Sequence, residues 1–146
     1  MKYIAYGSNM VKEQMAFRCP DARLIGTGHI TGAQLEFYLH ATITPSRIKG
    51  ASVPVAIWEI SKSDEQHLDM YEGYPNYYVK EKRAVQMDDG SKIKGMIYIM
   101  KLIRSTPPSY SYYNCIANAY TELGLATEIK SVLEPALKRS LRRKWR

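Results

Sequence analysis

Residues 77–102 read YYVKEKRAVQMDDGSKIKGMIYIMKL. Two β-prone runs, Tyr77 to Met87 and Ile93 to Leu102, flank Asp88-Asp89-Gly90, and Asp and Gly tolerate the positive φ that a tight turn between neighbouring strands requires. The stretch predicts a β-hairpin. Just upstream, Ser63 opens Ser-Asp-Glu-Gln, an N-cap hydroxyl with Gln66 three residues on, and the apolar spacing from Leu68 to Tyr71 leads to Gly73 as a stop. This predicts a helix of about two to three turns. Before it, Ala51 to Ile60 (ASVPVAIWEI) is a β-branched run whose Pro54 marks a strand start or an edge position.

Further out the same alternation of types holds. Lys2 to Tyr6 is β-prone and ends at Gly7-Ser8-Asn9, after which Val11 to Phe17 suits a short helix stopped by Cys19-Pro20. Between Arg23 and Ala41, Leu24, Ile25, Ile30, Leu35, Phe37 and Leu39 are broken by Gly26, Gly28 and Gly32, which predicts two strands of a meander joined by a bend. After Pro107-Pro108 the period changes to that of a helix: Tyr112, Ile116, Ala119, Tyr120 and Leu123 recur until Gly124. Thr127 begins a second helix through Ile129, Val132, Leu133, Leu137 and Leu141, with a kink or restart at Pro135. Strands with helices inserted and appended predict an α+β fold, a closed or strongly curled sheet flanked by helices.

The chain has 146 residues, one domain's worth. It is 45% hydrophobic and 24% charged, enough apolar material for a core. The net charge of +7 suggests a polyanion partner until it is mapped. Lys138, Arg139, Arg142, Arg143, Lys144 and Arg146 carry six of those charges, leaving +1 for residues 1–137. A single domain over 1–137 and a basic tail over 138–146 are therefore expected. Without an apolar run of roughly 18 residues or a signal-like N-terminus, a soluble cytoplasmic protein with no membrane contact is expected. Cys19 and Cys115 fit neither a CxxC pair nor a disulfide framework and read as reduced thiols.

Two places carry chemistry. Tyr6-Gly7-Ser8-Asn9 is a glycine loop between strand and helix. It reads either as an anion-binding concavity of backbone N–H groups or as a plain turn in which Ser8 or Asn9 caps the helix. Glu72 ends the central helix among Tyr71, Tyr74, Tyr77 and Tyr78. The helix dipole and the aromatic walls would both raise its pKa, as a general acid/base needs; the other reading is an exposed acid at a frayed end. His29, His40 and His67 lack metal-ligand spacing, so no metal is assigned. Cys115 reads as a helical packing residue, and most of the 12 tyrosines as core.

Tyr6-Gly7-Ser8-Asn9 after the first strand, Leu68-Asp69-Met70-Tyr71-Glu72-Gly73 followed by Tyr77-Tyr78-Val79, and Pro108-Ser109 with Tyr112 and Gly124-Leu125 together resemble the gamma-glutamylcyclotransferase-like family. The resemblance runs from residue 3 to about residue 126 and implies that family's small β-barrel flanked by helices, the fold of the butirosin-biosynthesis cyclotransferases. It implies a small-molecule substrate with a free γ-glutamyl group, cyclised to 5-oxoproline with release of an amine and without a cofactor. Carried over by position, Glu72 is the general base then acid, and Tyr6, Gly7, Ser8 and Asn9 hold the γ-glutamyl end. By the same carry-over Tyr78 and Tyr112 would line the pocket, with packing as the other reading of Tyr112. The tryptophan-rich N-terminal motif of glutathione-specific relatives is missing, and Tyr74-Pro75-Asn76 stiffens the pocket mouth, so the leaving amine is left open.

A different class of function competes with this one. A non-catalytic ligand-binding or regulatory module would use Lys138 to Arg146 to hold nucleic acid or another polyanion. The tail also reads as a solvated helix end favoured by the dipole. Trp145 within it would dock on the domain or on a second subunit, and the chain is expected to be a monomer or homodimer.

Overall fold

The computed structural model describes residues 1–101 and 104–143. Five strands close a barrel in the order β1 (Lys2–Ala5), β5 (Ser52–Glu59), β2 (Arg23–Thr31), β6 (Val79–Met87) and β7 (Lys92–Ile99). All neighbours are antiparallel except at the closing seam, where β1 runs parallel to β7 with Tyr3 opposite Met96. The barrel is thus mixed, because five strands, an odd number, cannot close with every neighbour antiparallel. The predicted hairpin is β6–β7: Gly90 takes φ +93° in its turn, and the Ser91 carbonyl accepts from the Met87 amide at 2.8 Å. The last residue of its predicted second strand, Leu102, lies outside the described residues.

Closure of so small a barrel demands missing side chains. At Gly28 a Cβ would stand 2.6 Å from the Gln86 carbonyl oxygen, where β2 leans over β6. At Gly95 one would stand 2.9 Å from Ile4 Cγ1, at the β1–β7 seam. Pro54 lies opposite His29 of β2, while β1 pairs only with Ala56 to Glu59. Its missing N–H therefore falls on the side that β1 does not reach, the edge position expected of it.

The expected two-strand meander between Arg23 and Ala41 is three strands in two sheets. Gly32 (φ +69°) turns the chain out of the barrel, and β3 (Ala33–Tyr38) pairs with β4 (His40–Pro45) as a separate hairpin. Leu39, at φ +62°, supplies the reversal. A leucine is a poor signal for that conformation, so the pattern read straight through it.

Helices close the outside. A single 3-10 turn (Ser8–Met10) follows β1 and leads into α1 (Lys12–Arg18), which packs on α2 (Lys62–Glu72). The N-cap of α2 is Ser61, not Ser63. Ser61 Oγ accepts from the Asp64 amide at 3.1 Å, and Asp64 Oδ2 accepts from the Ser61 amide at 3.2 Å, so a capping box forms two residues early with Asp as its acid. α3 (Tyr110–Glu122) packs on the 3-10 turn and is followed by Gly124 at φ +77°. Thr127 does not cap the last helix. A π turn (Ile129–Leu133) precedes α4 (Glu134–Arg143), which restarts one residue before Pro135, where the missing donor breaks the regular ladder.

α4 packs on β3. Arg139 donates to Glu36 Oε1 at 2.9 Å and to the Leu35 carbonyl at 2.6 Å, giving the buried Glu36 a counter-charge. Lys138 to Arg143 therefore belong to a packed helix, and one of their charges is spent inside the fold. Lys144, Trp145 and Arg146 lie outside the described residues. The core, from Ile4 and Met10 through Ile57 and Leu68 to Tyr120, is continuous between barrel and helices.

Candidate active site

β1 delivers the chain to Tyr6 and Gly7 at one end of the barrel, and the 3-10 turn then doubles it back. The Met10 amide bonds to the Gly7 carbonyl at 3.0 Å and the Val11 amide to the Ser8 carbonyl at 3.1 Å. This leaves the amides of Ser8 and Asn9 at the head of the turn. Opposite, α2 ends sharply. Gly73 takes the left-handed φ of +63° and its amide and that of Tyr74 close back on the last turn. The stop makes Glu72 the final helical residue and aims it across the gap at the loop.

Between them lies a cavity of about 590 Å³, within the usual range of roughly 300–1,000 Å³ for small-molecule sites. Tyr6, Gly7, Ser8, Asn9, Glu72, Tyr78 and Tyr112, the residues singled out in the sequence, all stand on its wall. Gly7 has a steric reason to be glycine: a Cβ there would lie 3.2 Å from the Tyr112 hydroxyl and 3.3 Å from Ala41 Cβ. α3 thus approaches the loop closely enough for its tyrosine to enter the site.

The carboxyl of Glu72 is half-buried and accepts from Asn9 Nδ2 at 3.4 Å. Burial pushes its pKa up to about 7, against the opposing charge of Arg18. The direction is the one expected from the aromatic walls, and desolvation is its cause. A carboxyl balanced near neutrality exchanges protons readily in both directions.

The hydroxyls around it divide by what they already hold. Tyr6 donates to the Tyr98 carbonyl at 2.6 Å and Tyr78 to the Ala41 carbonyl at 2.9 Å, so both protons are committed to backbone. Tyr112 instead accepts from the Ala41 amide at 3.0 Å, which leaves its own proton to aim at a ligand. Burial raises the pKa of all three, most simply because a phenolate would be stranded without water. They are neutral donors wherever Glu72 titrates.

Asn9 is more heavily used than a loop residue need be. Its Nδ2 donates to Tyr3 Oη at 2.9 Å as well as to Glu72, its Oδ1 accepts from Arg18, and its carbonyl accepts from Trp58 Nε1 at 3.1 Å. Tyr3, Arg18 and Trp58 were not legible as site residues. Each lies on a different element, β1, α1 and β5, and only the folded chain brings all three to Asn9. Among the described residues no group of three or more His, Cys, Asp or Glu side chains converges as a metal site would.

Comparison with known proteins matches residues 3–114 to the family described as "Gamma-glutamyl cyclotransferase, AIG2-like". The chain belongs to that family. It is similar to the mouse protein named gamma-glutamylcyclotransferase, at 30% identity over 90% of this chain and 76% of that one. The human protein of the same name is 29% identical with the same coverage. A solved gamma-glutamyl cyclotransferase structure superposes with a TM-score of 0.81, at 29% identity, over 91% of this chain and 85% of that one. The family assignment and its barrel fold agree with the resemblance read from the motifs.

Proposed function

We propose that this chain is a γ-glutamyl cyclotransferase that converts a γ-glutamyl amide to 5-oxoproline and a free amine, with Glu72 moving the proton. The substrate folds so that its own α-amine reaches its γ-carbonyl. The amine nitrogen attacks that carbon, a C–N bond forms, and Glu72 accepts the proton the nitrogen sheds. The old amide C–N bond then breaks, and Glu72 returns the proton to the departing nitrogen. No water is consumed and Glu72 ends as it began. Holding the glutamyl unit curled supplies most of the orientation for a ring closure of this kind. The amides at the head of the 3-10 turn and the Tyr112 hydroxyl are the donors for the transient oxyanion.

The observation that carries this reading is a single carboxyl, raised to about 7, facing the Tyr6 to Asn9 loop across the cavity. Free thiols at Cys19 and Cys115 support the cytoplasmic location. Among the described residues no helix is long and apolar enough to cross a membrane. The test is mass spectrometry for 5-oxoproline after incubation of wild type and Glu72→Gln with γ-glutamyl amino acids, γ-glutamyl amines and γ-glutamyl-lysine. Product from wild type alone is expected, and the depleted substrate names the leaving amine. No product from wild type across the panel, or equal product from Glu72→Gln, overturns the proposal.

A further inference from the structure

Arg18 is the last residue of α1, half-buried and nine residues past the loop that frames the cavity. Its guanidinium makes two contacts there. One nitrogen donates to Asn9 Oδ1, and its plane stacks on Tyr71, with Cζ 3.5 Å from the ring centroid. Tyr71 is the residue before Glu72, so one side chain touches both walls of the site.

The contact to Asn9 fixes more than a distance. A carboxamide has one acceptor end and one donor end, and it can turn over about its terminal torsion. With Oδ1 held by a cation, Nδ2 must face the other way, where it donates to Tyr3 and to Glu72. Turned over, the amide would present an oxygen to the Glu72 carboxylate. The geometry points to Arg18 as a positioning residue of the cyclotransferase, one that orients the Asn9 amide and supplies the positive field in which the Glu72 carboxylate acts as base. This rests on Glu72 being the proton carrier proposed above.

Among the described residues, the rest of the cavity lining supplies no comparable charge. The groups facing Glu72 are phenols: Tyr3 on β1 and Tyr6 just past its end, Tyr78 before β6, Tyr112 from α3 and Tyr71 on its own helix, with His40 in the wall beyond. Arg18 is the charge whose effect on Glu72 opposes burial. The stack on Tyr71 keeps it near without a direct ion pair, which would pull the carboxyl too far down to serve as an acid in the second half of the reaction.

Two variants separate orientation from field. Arg18→Met retains the apolar length and removes charge and donor. Arg18→Lys keeps the charge but loses the planar fork. The readouts are kcat/KM against pH and, independently of turnover, the titration of the Glu72 carboxyl by carbon NMR in side-chain-labelled protein, assigned by its loss in Glu72→Gln. In Arg18→Met the Glu72 midpoint is expected to rise by about one pH unit, with roughly a tenfold loss of kcat/KM on the acid side. Arg18→Lys is expected to keep the midpoint near wild type while kcat falls at every pH.

An unmoved NMR midpoint in Arg18→Met, with activity lost evenly across pH, would show a structural role only and overturn the inference. If Arg18→Met does not fold, Arg18→Lys decides: wild-type kcat with wild-type titration overturns it. Absence of 5-oxoproline from wild type would instead strike the proposed reaction, and the NMR titration would still answer for Arg18.

Discussion

Replacing Glu72 by Gln should stabilise the protein, and by an amount that depends on pH. A half-buried carboxyl whose pKa rises from its ordinary 4.5 to about 7 holds its proton more tightly folded than unfolded. Between those two values the folded state binds more protons, so stability falls as pH rises through the window. Below about 4.5 both states are protonated and the penalty vanishes. Above about 7 it is complete, at about 3 kcal/mol from roughly 1.4 kcal/mol per pH unit. Glutamine has the same shape and does not ionise, so the difference in unfolding free energy, Glu72→Gln minus wild type, isolates that term. Urea unfolding of both proteins at half-unit steps from pH 4.5 to pH 8 should show the difference growing by about 3 kcal/mol and then levelling. A difference that is flat across the range, or that shrinks as pH rises, would refute the claim that burial sets the acidity of this group. The assay needs no substrate, so it stands whichever amine the enzyme releases.

Three other substitutions probe the frame around the site. Gly28→Ala puts a Cβ 2.6 Å from a backbone oxygen of β6, and should cost about 1–3 kcal/mol, read as a lower urea midpoint; wild-type stability would mean the barrel can widen there. Ser61→Ala removes the hydroxyl half of the capping box, and should cost about 1 kcal/mol in the same assay, whereas Ser63→Ala should change nothing measurable. Tyr112→Phe strips the acceptor from the Ala41 amide and the free donor from the cavity. It is expected to lower stability by about 1 kcal/mol and kcat/KM roughly tenfold, and unchanged kinetics would reduce Tyr112 to a packing residue.

What the sequence shows and what it hides follow the range of the interactions. The β6–β7 turn is legible because Asp88-Asp89-Gly90 carries its own backbone preference, and the α2 stop because Gly73 does. Glu72 was visible beside that stop for the same local reason. The cap at Ser61 was misplaced because Ser63 with Gln66 and Ser61 with Asp64 overlap, and the side chain that reaches back is decided by packing. Leu39 hid a strand boundary because nothing about leucine announces a positive φ. Arg18 was invisible for another reason. Its partners, Asn9 and Tyr71, are 9 and 53 positions away, and no local motif joins it to them. Composition alone placed a basic tail on the C-terminus, while the structure spends Arg139 on a buried glutamate.

The phenol wall of the cavity has an optical consequence. Tyr3, Tyr6, Tyr78, Tyr98 and Tyr112 all have their ionisation pushed upward by burial. An alkaline titration followed by the ultraviolet band of tyrosinate should therefore come in two stages, surface phenols first and the wall only when the fold gives way. The delayed stage is an intrinsic dye for the integrity of the chamber, and a ligand that tightens the chamber should push it to still higher pH.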